Sequence, residues 1–337
     1  MVRDPAGPSW PQWADRLADD AGAQSAIAAG ALTAPRWARP VDRDVGVQTG
    51  PPSPTPAPAT TDAVGRTPSA TLAVVNQKGG VGKTTTAVSV AAAIAEVGTP
   101  VLLVDLDPQG NASSGLGLRP RAEQPTIYDV LIDDAELLDV VRPTSVRNLF
   151  LVPASIDLAG AEIELVSAFS REQRLRRALE SVRGEYGLVI VDCPPSLGLL
   201  TVNALSAADG LLVPIQCEYY ALEGLGALRQ NAELVRTNLN PQLAIIGFVL
   251  TMLDGRTRLS QQVVEEVRAH FGDKVFHTRI PRSVRLAEAP GFGEPITVFD
   301  PGSRGAMAYR RLARELMERL RARPAAPEHD DQEGAAR

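Results

Sequence analysis

The feature that most constrains the fold is an apolar strand that runs directly into a glycine-rich loop and then into a helix. Strand Leu72–Val75 precedes the loop Gln77-Lys78-Gly79-Gly80-Val81-Gly82-Lys83-Thr84-Thr85. Glycines let backbone N–H groups approach a phosphate closely, and the positive end of the following helix faces the same point. The order strand, loop, helix therefore predicts an α/β protein with a phosphate site at the end of its first strand.

The loop departs in one place from the usual phosphate-binding pattern G-x-x-x-x-G-K-[ST]. Gly82-Lys83-Thr84 supply the last three positions, but the first glycine falls at Gln77. We predict that Lys83 reaches the β- and γ-phosphate oxygens and that the Thr84 hydroxyl binds Mg²⁺. Lys78 lies across the loop from Lys83, which makes it a candidate for reaching a second nucleotide across a dimer interface. These are two of only three lysines, against 31 arginines, so a compact ammonium is favoured here.

Carboxylates follow two of the predicted strands. Asp105 and Asp107 alternate at the carboxyl end of strand Val101–Val104, and Asp192 ends the apolar run Leu188–Val191. Ligands of open α/β sheets bind at this edge. We predict that Asp192 helps to hold Mg²⁺ through water and that Asp107 positions the attacking water. Cys193 is interpreted as a small packed residue.

Apolar runs alternate with helical segments from Ala70 onward, which predicts a mostly parallel β-sheet with helices on both faces. Further predicted strands are 149–152, 211–214 and 243–250. The predicted helices are 84–97, 156–166, 171–182, 199–207, 222–237, 260–271 and 303–321. The fold class is therefore α/β of the P-loop NTPase type.

The ends of the 337-residue chain differ from its middle. Residues 1–68 hold 11 of the 27 prolines and predict a disordered N-terminal extension. Its tryptophans, Trp10, Trp13 and Trp37, also allow a docking motif for a polar or scaffold protein. Residues 69–323 form the predicted ATPase domain, and 324–337 form an acidic, disordered tail. Two cysteines and no long apolar run favour a cytoplasmic protein that does not enter a membrane.

Several segments together resemble the ParA/Soj family of chromosome and plasmid partitioning ATPases. They include NQKGGVGKTTTAVSVA, VLLVDLDPQGNASSGLG, VPASIDLAGAEIELV, VDCPPSLGLLTVNAL, PIQCEYYALEGL and RIPRSVRLAEAP. The resemblance implies an ATP-dependent homodimer with weak ATPase activity, ATP and Mg²⁺ as cofactors, and a ParB-type centromere-binding partner. It also implies that Lys78 acts on the partner's nucleotide and that Pro281, Arg282 and Ser283 lie near the adenine.

The resemblance further implies binding to nonspecific DNA in the ATP-bound dimer, hence a nucleoid-associated protein. The matching cations are Arg256 and Arg285, with Arg258, Arg279 and Arg282 nearby. The whole chain has a net charge of −6, yet residues 251–323 carry 14 basic against 9 acidic residues. Such contacts go to phosphates, so binding is expected to be independent of the base sequence and to weaken with increasing salt.

The sequence departs from the family pattern at two positions. Ser283 replaces the family's usual Asn, and Glu294 stands in a turn that usually bears Lys.

Three alternative functions were weighed against the family assignment. The main alternative is a MinD-like ATPase that positions division at the membrane. It needs a basic amphipathic C-terminal helix, whereas this chain ends in PAAPEHDDQEGAAR. An iron–sulfur carrier is disfavoured because Cys193 directly follows Asp192. A small-molecule ligase is disfavoured because no further substrate-binding constellation is present.

Overall fold

A computed structural model describes residues 70–121, 123–218 and 225–322. The predictions for residues 1–68 and for the acidic tail lie outside these ranges, and the domain boundaries stay predictions. The strands are β1 (Ala70–Val74), β2 (Val101–Asp105), β3 (Arg142–Pro143), β4 (Leu149–Val152), β5 (Leu188–Asp192), β6 (Gly210–Gln216) and β7 (Ala244–Thr251).

Helices connect these strands within the described ranges. They are α1 (Lys83–Ala95), α2 (Asn111–Gly115), α3 (Ile127–Ile132), α4 (Leu137–Val140), α5 (Leu158–Glu164), α6 (Arg174–Glu180), α7 (Leu199–Ala207), α8 (Leu225–Asn238), α9 (Arg258–Phe271), α10 (Val284–Glu288), α11 (Ile296–Phe299) and α12 (Arg304–Arg321). None of the described helices is long and apolar enough to cross a membrane.

The described strands form one seven-stranded sheet in the order β3-β4-β2-β5-β1-β6-β7. Every neighbouring pair is parallel except β3 and β4 at one edge. Residues alternate between the faces of a strand, so Leu72 and Val74 enter one hydrophobic core and Ala73 enters the other. Helices α1 and α12 cover the first core, and α3–α9 contribute to the second. The predicted fold class is confirmed.

Predicted and observed elements differ mainly where segments are short. All six predicted strands are present, and β6 extends two residues further than expected, to Gln216. Strand β3 was missed because an antiparallel pair of two residues leaves no readable alternation. Helices α2, α3, α4, α10 and α11, each of four to six residues, were missed for the same reason.

Strands β1, β2 and β5 end level with one another. Asp192 pairs in register with Val74 on one side and with Asp105 on the other. Parallel pairing thus brings the loop that follows β1 and the two carboxylates to one edge of the sheet, where the candidate site lies.

Candidate functional site

Two glycines give the loop between β1 and α1 its shape. Gly80 and Gly82 have φ angles of +73° and +86°, in the left-handed region that favours glycine. Gly82 caps α1 directly, with no side-chain cap, so the first N–H groups of the helix remain directed at the loop. This arrangement is suited to an anion such as a phosphate.

Two polar side chains at strand ends hold the loop in place. The Asn76 amide donates to the Pro214 carbonyl at 2.7 Å and accepts from the Lys78 N–H at 2.9 Å. The Thr251 hydroxyl donates to the Val81 carbonyl at 2.8 Å. Sequence reasoning missed both residues, although the rule that located Asp105 and Asp192, a polar residue closing a buried strand, applies to them equally.

Lys83 is buried inside the loop. Its side chain is held with Nζ 3.3 Å from the Lys78 carbonyl, and the residue is only 7% exposed. Burial lowers the pKa of Lys83, while attraction to Asp192 and Asp107 opposes that change. A phosphate would therefore meet a cation that the protein has already taken out of water, where charge interactions are stronger than in bulk solvent.

Asp192 lies at the end of β5 as an unsatisfied buried carboxylate. It is fully buried, and neither carboxylate oxygen accepts a hydrogen bond of good geometry among the described residues. Burial raises the pKa of Asp192 well above its ordinary value, Asp105 adds to the rise, and the nearby Thr84 hydroxyl opposes it. An unpartnered acceptor beside a hydroxyl is the donor set that Mg²⁺ prefers, so these residues fit the predicted ion.

The two carboxylates that follow β2 have different surroundings. Asp105 is fully buried and accepts from the Ser113 N–H and hydroxyl at 2.8 and 2.6 Å. Burial raises the pKa of Asp105 to about 6, against these hydrogen bonds. Asp107 lines the cavity and accepts from the Gln109 N–H at 3.0 Å. Asp105 therefore organises the turn into α2, whereas Asp107 is available to a ligand.

A cavity of about 440 Å³ opens beside the loop and has the size of a small-molecule site. One side is formed by the loop, Asp107 and Pro195. The opposite side is formed by Leu286, Ala289, Pro290 and residues 294–296. Met252, a bulky residue at φ +53°, completes the wall near Gly82.

The predicted adenine neighbours are not part of this wall. Pro281 and Ser283 lie in the segment before α10, outside the lining of the cavity. The apolar wall comes instead from α10 and the turn after it, including Glu294. Sequence reasoning singled out Glu294 only as a departure from the family pattern. The contact of Pro281 and Ser283 with adenine stays a prediction.

Lys78 does not line the cavity. Its ammonium instead lies 3.4 Å from the Glu218 carboxylate. Lys78, predicted to act on the partner's nucleotide, is therefore separate from the residues predicted to act on the subunit's own nucleotide. Gly79, Gly80, Gly82, Lys83, Thr84, Thr85 and Asp107 line the cavity, Val81 is buried behind the loop, and Asp192 lies beneath it.

Four of the five arginines predicted to lie at the DNA-binding surface differ in their partners. Arg256 and Arg258 are exposed at the start of α9, and neither has an ion-pair partner among the described residues. Arg282 lies 3.9 Å from Glu218. Arg285 is held by Asp300 at 2.8 Å and Glu288 at 2.9 Å. The charge of Arg285 is therefore already balanced, in contrast to that of Arg256 and Arg258.

The loop, the buried lysine and the unsatisfied Asp192 define a P-loop nucleoside triphosphatase of mostly parallel α/β architecture. The family described as an AAA domain matches residues 69–245. The sporulation initiation inhibitor protein Soj of Bacillus subtilis is 57% identical over 245 residues, covering 73% of this chain and 97% of Soj. The chain therefore belongs to the ParA/Soj family of ATPases. The chromosome partitioning protein ParA of Myxococcus xanthus is 53% identical over 248 residues, covering 74% of this chain and 88% of that protein.

Solved structures share the fold. A Mycobacterium smegmatis protein described as cobyrinic acid a,c-diamide synthase, with bound ADP and magnesium, is 40% identical with a TM-score of 0.67, covering 75% of this chain and 96% of that one. The septum site-determining protein MinD of Pyrococcus horikoshii, with Mg-ADP, is 28% identical with a TM-score of 0.59, covering 74% and 96%. Both relatives bind a nucleotide together with magnesium.

Proposed function

We propose that this ATPase is an ATP-dependent dimerisation switch that partitions a chromosome or plasmid. ATP and Mg²⁺ bind the cavity, two subunits close on two nucleotides, and the dimer binds nonspecific DNA. Thr84 and Asp192 would hold Mg²⁺, which neutralises phosphate charge when bound. Asp107 orients the water for slow hydrolysis, which separates the subunits. A ParB-type protein stimulates that hydrolysis, as expected for a member of the ParA/Soj family.

The orientation of Lys78 carries this proposal. A lysine in a phosphate-binding loop is expected to contact its own nucleotide, yet this side chain does not line the cavity and is 38% exposed. Its backbone N–H donates to Asn76 and its ammonium contacts Glu218, so entering the cavity would require a change in side-chain conformation. A phosphate presented by a second subunit would meet it without such a change.

The basic surface around Arg256 and Arg258 supports the DNA-binding step. Both arginines are exposed, and among the described residues no carboxylate forms an ion pair with either guanidinium group. One subunit supplies only a few such cations, so its affinity for DNA is low. A dimer carries twice as many of these arginines. It can therefore contact more DNA phosphates at once, which raises its affinity for DNA.

The first test is binding to nonspecific duplex DNA with ATP, ADP or no nucleotide across a salt series. We expect tight binding with ATP alone and a linear fall of log affinity with log salt. Equal affinity in all three states would contradict a nucleotide-dependent switch.

Two variants locate the surface and the nucleotide site. Arg256→Ala with Arg258→Ala should lower the DNA affinity of the dimer and reduce its salt slope by up to about 4, since each subunit loses two arginines and each lost phosphate contact reduces the slope by about 1. Arg236→Ala is the matched control, because this arginine pairs with Glu233 elsewhere on the surface. Lys83→Ala should abolish productive nucleotide binding, so unchanged ATP hydrolysis would contradict the site.

The similarity to MinD keeps a membrane-associated function as the second candidate. The apolar face of α12, from Ala306 to Leu320, packs into the core. That face is therefore not free to enter a lipid surface. Sedimentation with anionic liposomes separates the candidates: ATP-dependent recovery with the liposomes, without DNA binding, would favour the membrane function.

A further inference from the structure

One carboxylate, Glu218, lies between two cations that the proposed function uses. Its Oε2 lies 3.4 Å from the Lys78 ammonium, and its Oε1 lies 3.9 Å from the Arg282 guanidinium. The Gln216 side chain donates to the same Oε1 at 2.6 Å. Glu218 is therefore held in place by a neighbour rather than moving freely at the surface.

The sheet explains why these groups meet. Strands β1, β6 and β7 are neighbours, and their carboxyl ends lie at one edge. Lys78 follows β1 and Glu218 follows β6. Arg282 belongs to a segment that runs beside the end of β7, because its N–H donates to the Leu253 carbonyl at 3.0 Å. The cluster thus joins the phosphate-binding loop to the segment before α10.

We infer that Glu218 is a positioning residue that retains Lys78 and Arg282 within the separate subunit. The inference rests on the proposed function, in which Lys78 reaches the partner's nucleotide, and on the prediction from sequence that Arg282 contacts DNA. Each cation can bind either the carboxylate of its own chain or an external phosphate. Glu218 therefore competes with both phosphates and raises the ATP concentration at which the switch closes.

The expected effects are modest because the contacts are partly exposed. The side chains of Lys78, Glu218 and Arg282 are 38%, 44% and 65% exposed. An exposed ion pair changes an equilibrium by up to about fivefold. Closing a dimer breaks two Lys78–Glu218 contacts, so the combined effect on dimerisation is up to about 25-fold.

The test is Glu218→Gln in the full-length protein, which keeps the size of the side chain and removes its charge. We expect the ATP concentration for half-maximal dimerisation to fall by up to about fivefold, because two ATP molecules enter each dimer and the requirement changes as the square root of the 25-fold effect. The hydrolysis rate per dimer at saturating ATP should stay unchanged, because Glu218 acts before the dimer forms. Glu233→Gln is the matched control, since it neutralises the exposed carboxylate partner of an arginine on α8. Circular dichroism verifies that each variant is folded.

Arg282 provides an independent readout on the monomer. Without nucleotide, Glu218→Gln should bind nonspecific duplex DNA up to about fivefold more tightly than the wild type at low salt. The difference should disappear at high salt, where exposed charges are screened. Arg282→Ala in the Glu218→Gln background should remove the gain.

A conservative variant distinguishes loss of the Glu218 charge from a general disturbance of the local structure. Glu218→Asp keeps the charge but withdraws it by one carbon, so its ATP requirement should fall between those of the wild type and Glu218→Gln. If the wild type dimerises with ATP but Glu218→Gln needs as much ATP or more, the role of Glu218 is wrong. If the wild type itself does not dimerise with ATP, the proposed function fails instead.

Discussion

Replacing Asp192 by Asn should stabilise the empty protein and weaken its response to magnesium nucleotide. The fully buried carboxylate has no hydrogen-bond partner of good geometry, so the empty fold bears the cost of a desolvated charge. Asn removes that charge at equal size. Lys83 loses an attractive charge partner at the same time, which limits the increase in the free energy of unfolding. We expect the free energy of unfolding to rise by about 1–2 kcal/mol.

That change corresponds to a melting temperature about 2–8 °C above the wild type for a domain of this size. With Mg·ADP at about 100 times the wild-type Kd, the wild type gains about 2.7 kcal/mol. Loss of an outer-shell magnesium partner weakens binding by about 10- to 100-fold, which reduces the gain of the variant to about 0.4–1.4 kcal/mol. ADP is used so that dimerisation does not contribute.

The assay is thermal unfolding of both proteins, with and without Mg·ADP, at pH 5 and pH 8. Burial raises the pKa of Asp192 above its ordinary 3.8, so the folded state binds this proton more tightly than the unfolded state does. The wild type therefore loses stability as pH rises from about 4 towards the folded-state pKa. The advantage of Asp192→Asn should be larger at pH 8 than at pH 5.

Asp139→Asn, which removes an exposed carboxylate on α4, is the control and should change neither quantity. An empty Asp192→Asn protein that melts below the wild type, yet keeps the full Mg·ADP gain, would refute the reasoning. It would mean that the carboxylate supports the fold rather than the ion.

Two further variants address hydrolysis and stability. Asp107→Ala should retain the ATP-bound dimer in gel filtration but release phosphate at least about 100-fold more slowly, because it loses the group that orients the water; a rate within twofold of the wild type would exclude that role. Arg310→Ala should lower the free energy of unfolding by about 1–2 kcal/mol in urea titrations, because its guanidinium donates to Glu96 at 2.8 and 3.1 Å and to the Pro301 carbonyl at 2.7 Å. Glu96→Gln should produce a smaller loss, and equal stability of all three proteins would show that α12 does not depend on this contact.

Much of the fold was predictable because each long strand is buried on both faces. The continuous apolar runs 188–191 and 211–214 are typical of parallel strands, and both proved to be strands. The phosphate-binding loop at residues 77–85 was equally predictable, since closely spaced glycines between a strand and a helix are typical of such loops. What the sequence did not reveal was the strand order, because pairing partners are set by crossover geometry rather than by local composition.

The parts of the candidate site that come from one short stretch of sequence were predictable. The parts that folding brings together from distant segments were not. The cavity's second wall, Leu286 to Ile296, lies some 200 residues from the loop it faces and carries ordinary apolar side chains. No spacing rule connects such segments. One partner of Arg285 was hidden for the same reason: Asp300 is 15 residues away and meets Arg285 where its guanidinium also lies over the Phe299 ring of α11, whereas the other partner, Glu288, is only three residues away.

The distance along the chain between Thr86 and Tyr309 has a consequence for biosynthesis. Their hydroxyls are 3.2 Å apart and join α1, the helix of the phosphate-binding loop, to α12, although 223 positions separate them. The ribosome synthesises the loop and α1 long before α12, so the face of α1 that α12 covers stays exposed until α12 has been made. Nucleotide affinity should therefore arise late in translation, and nascent chains should not sequester ATP.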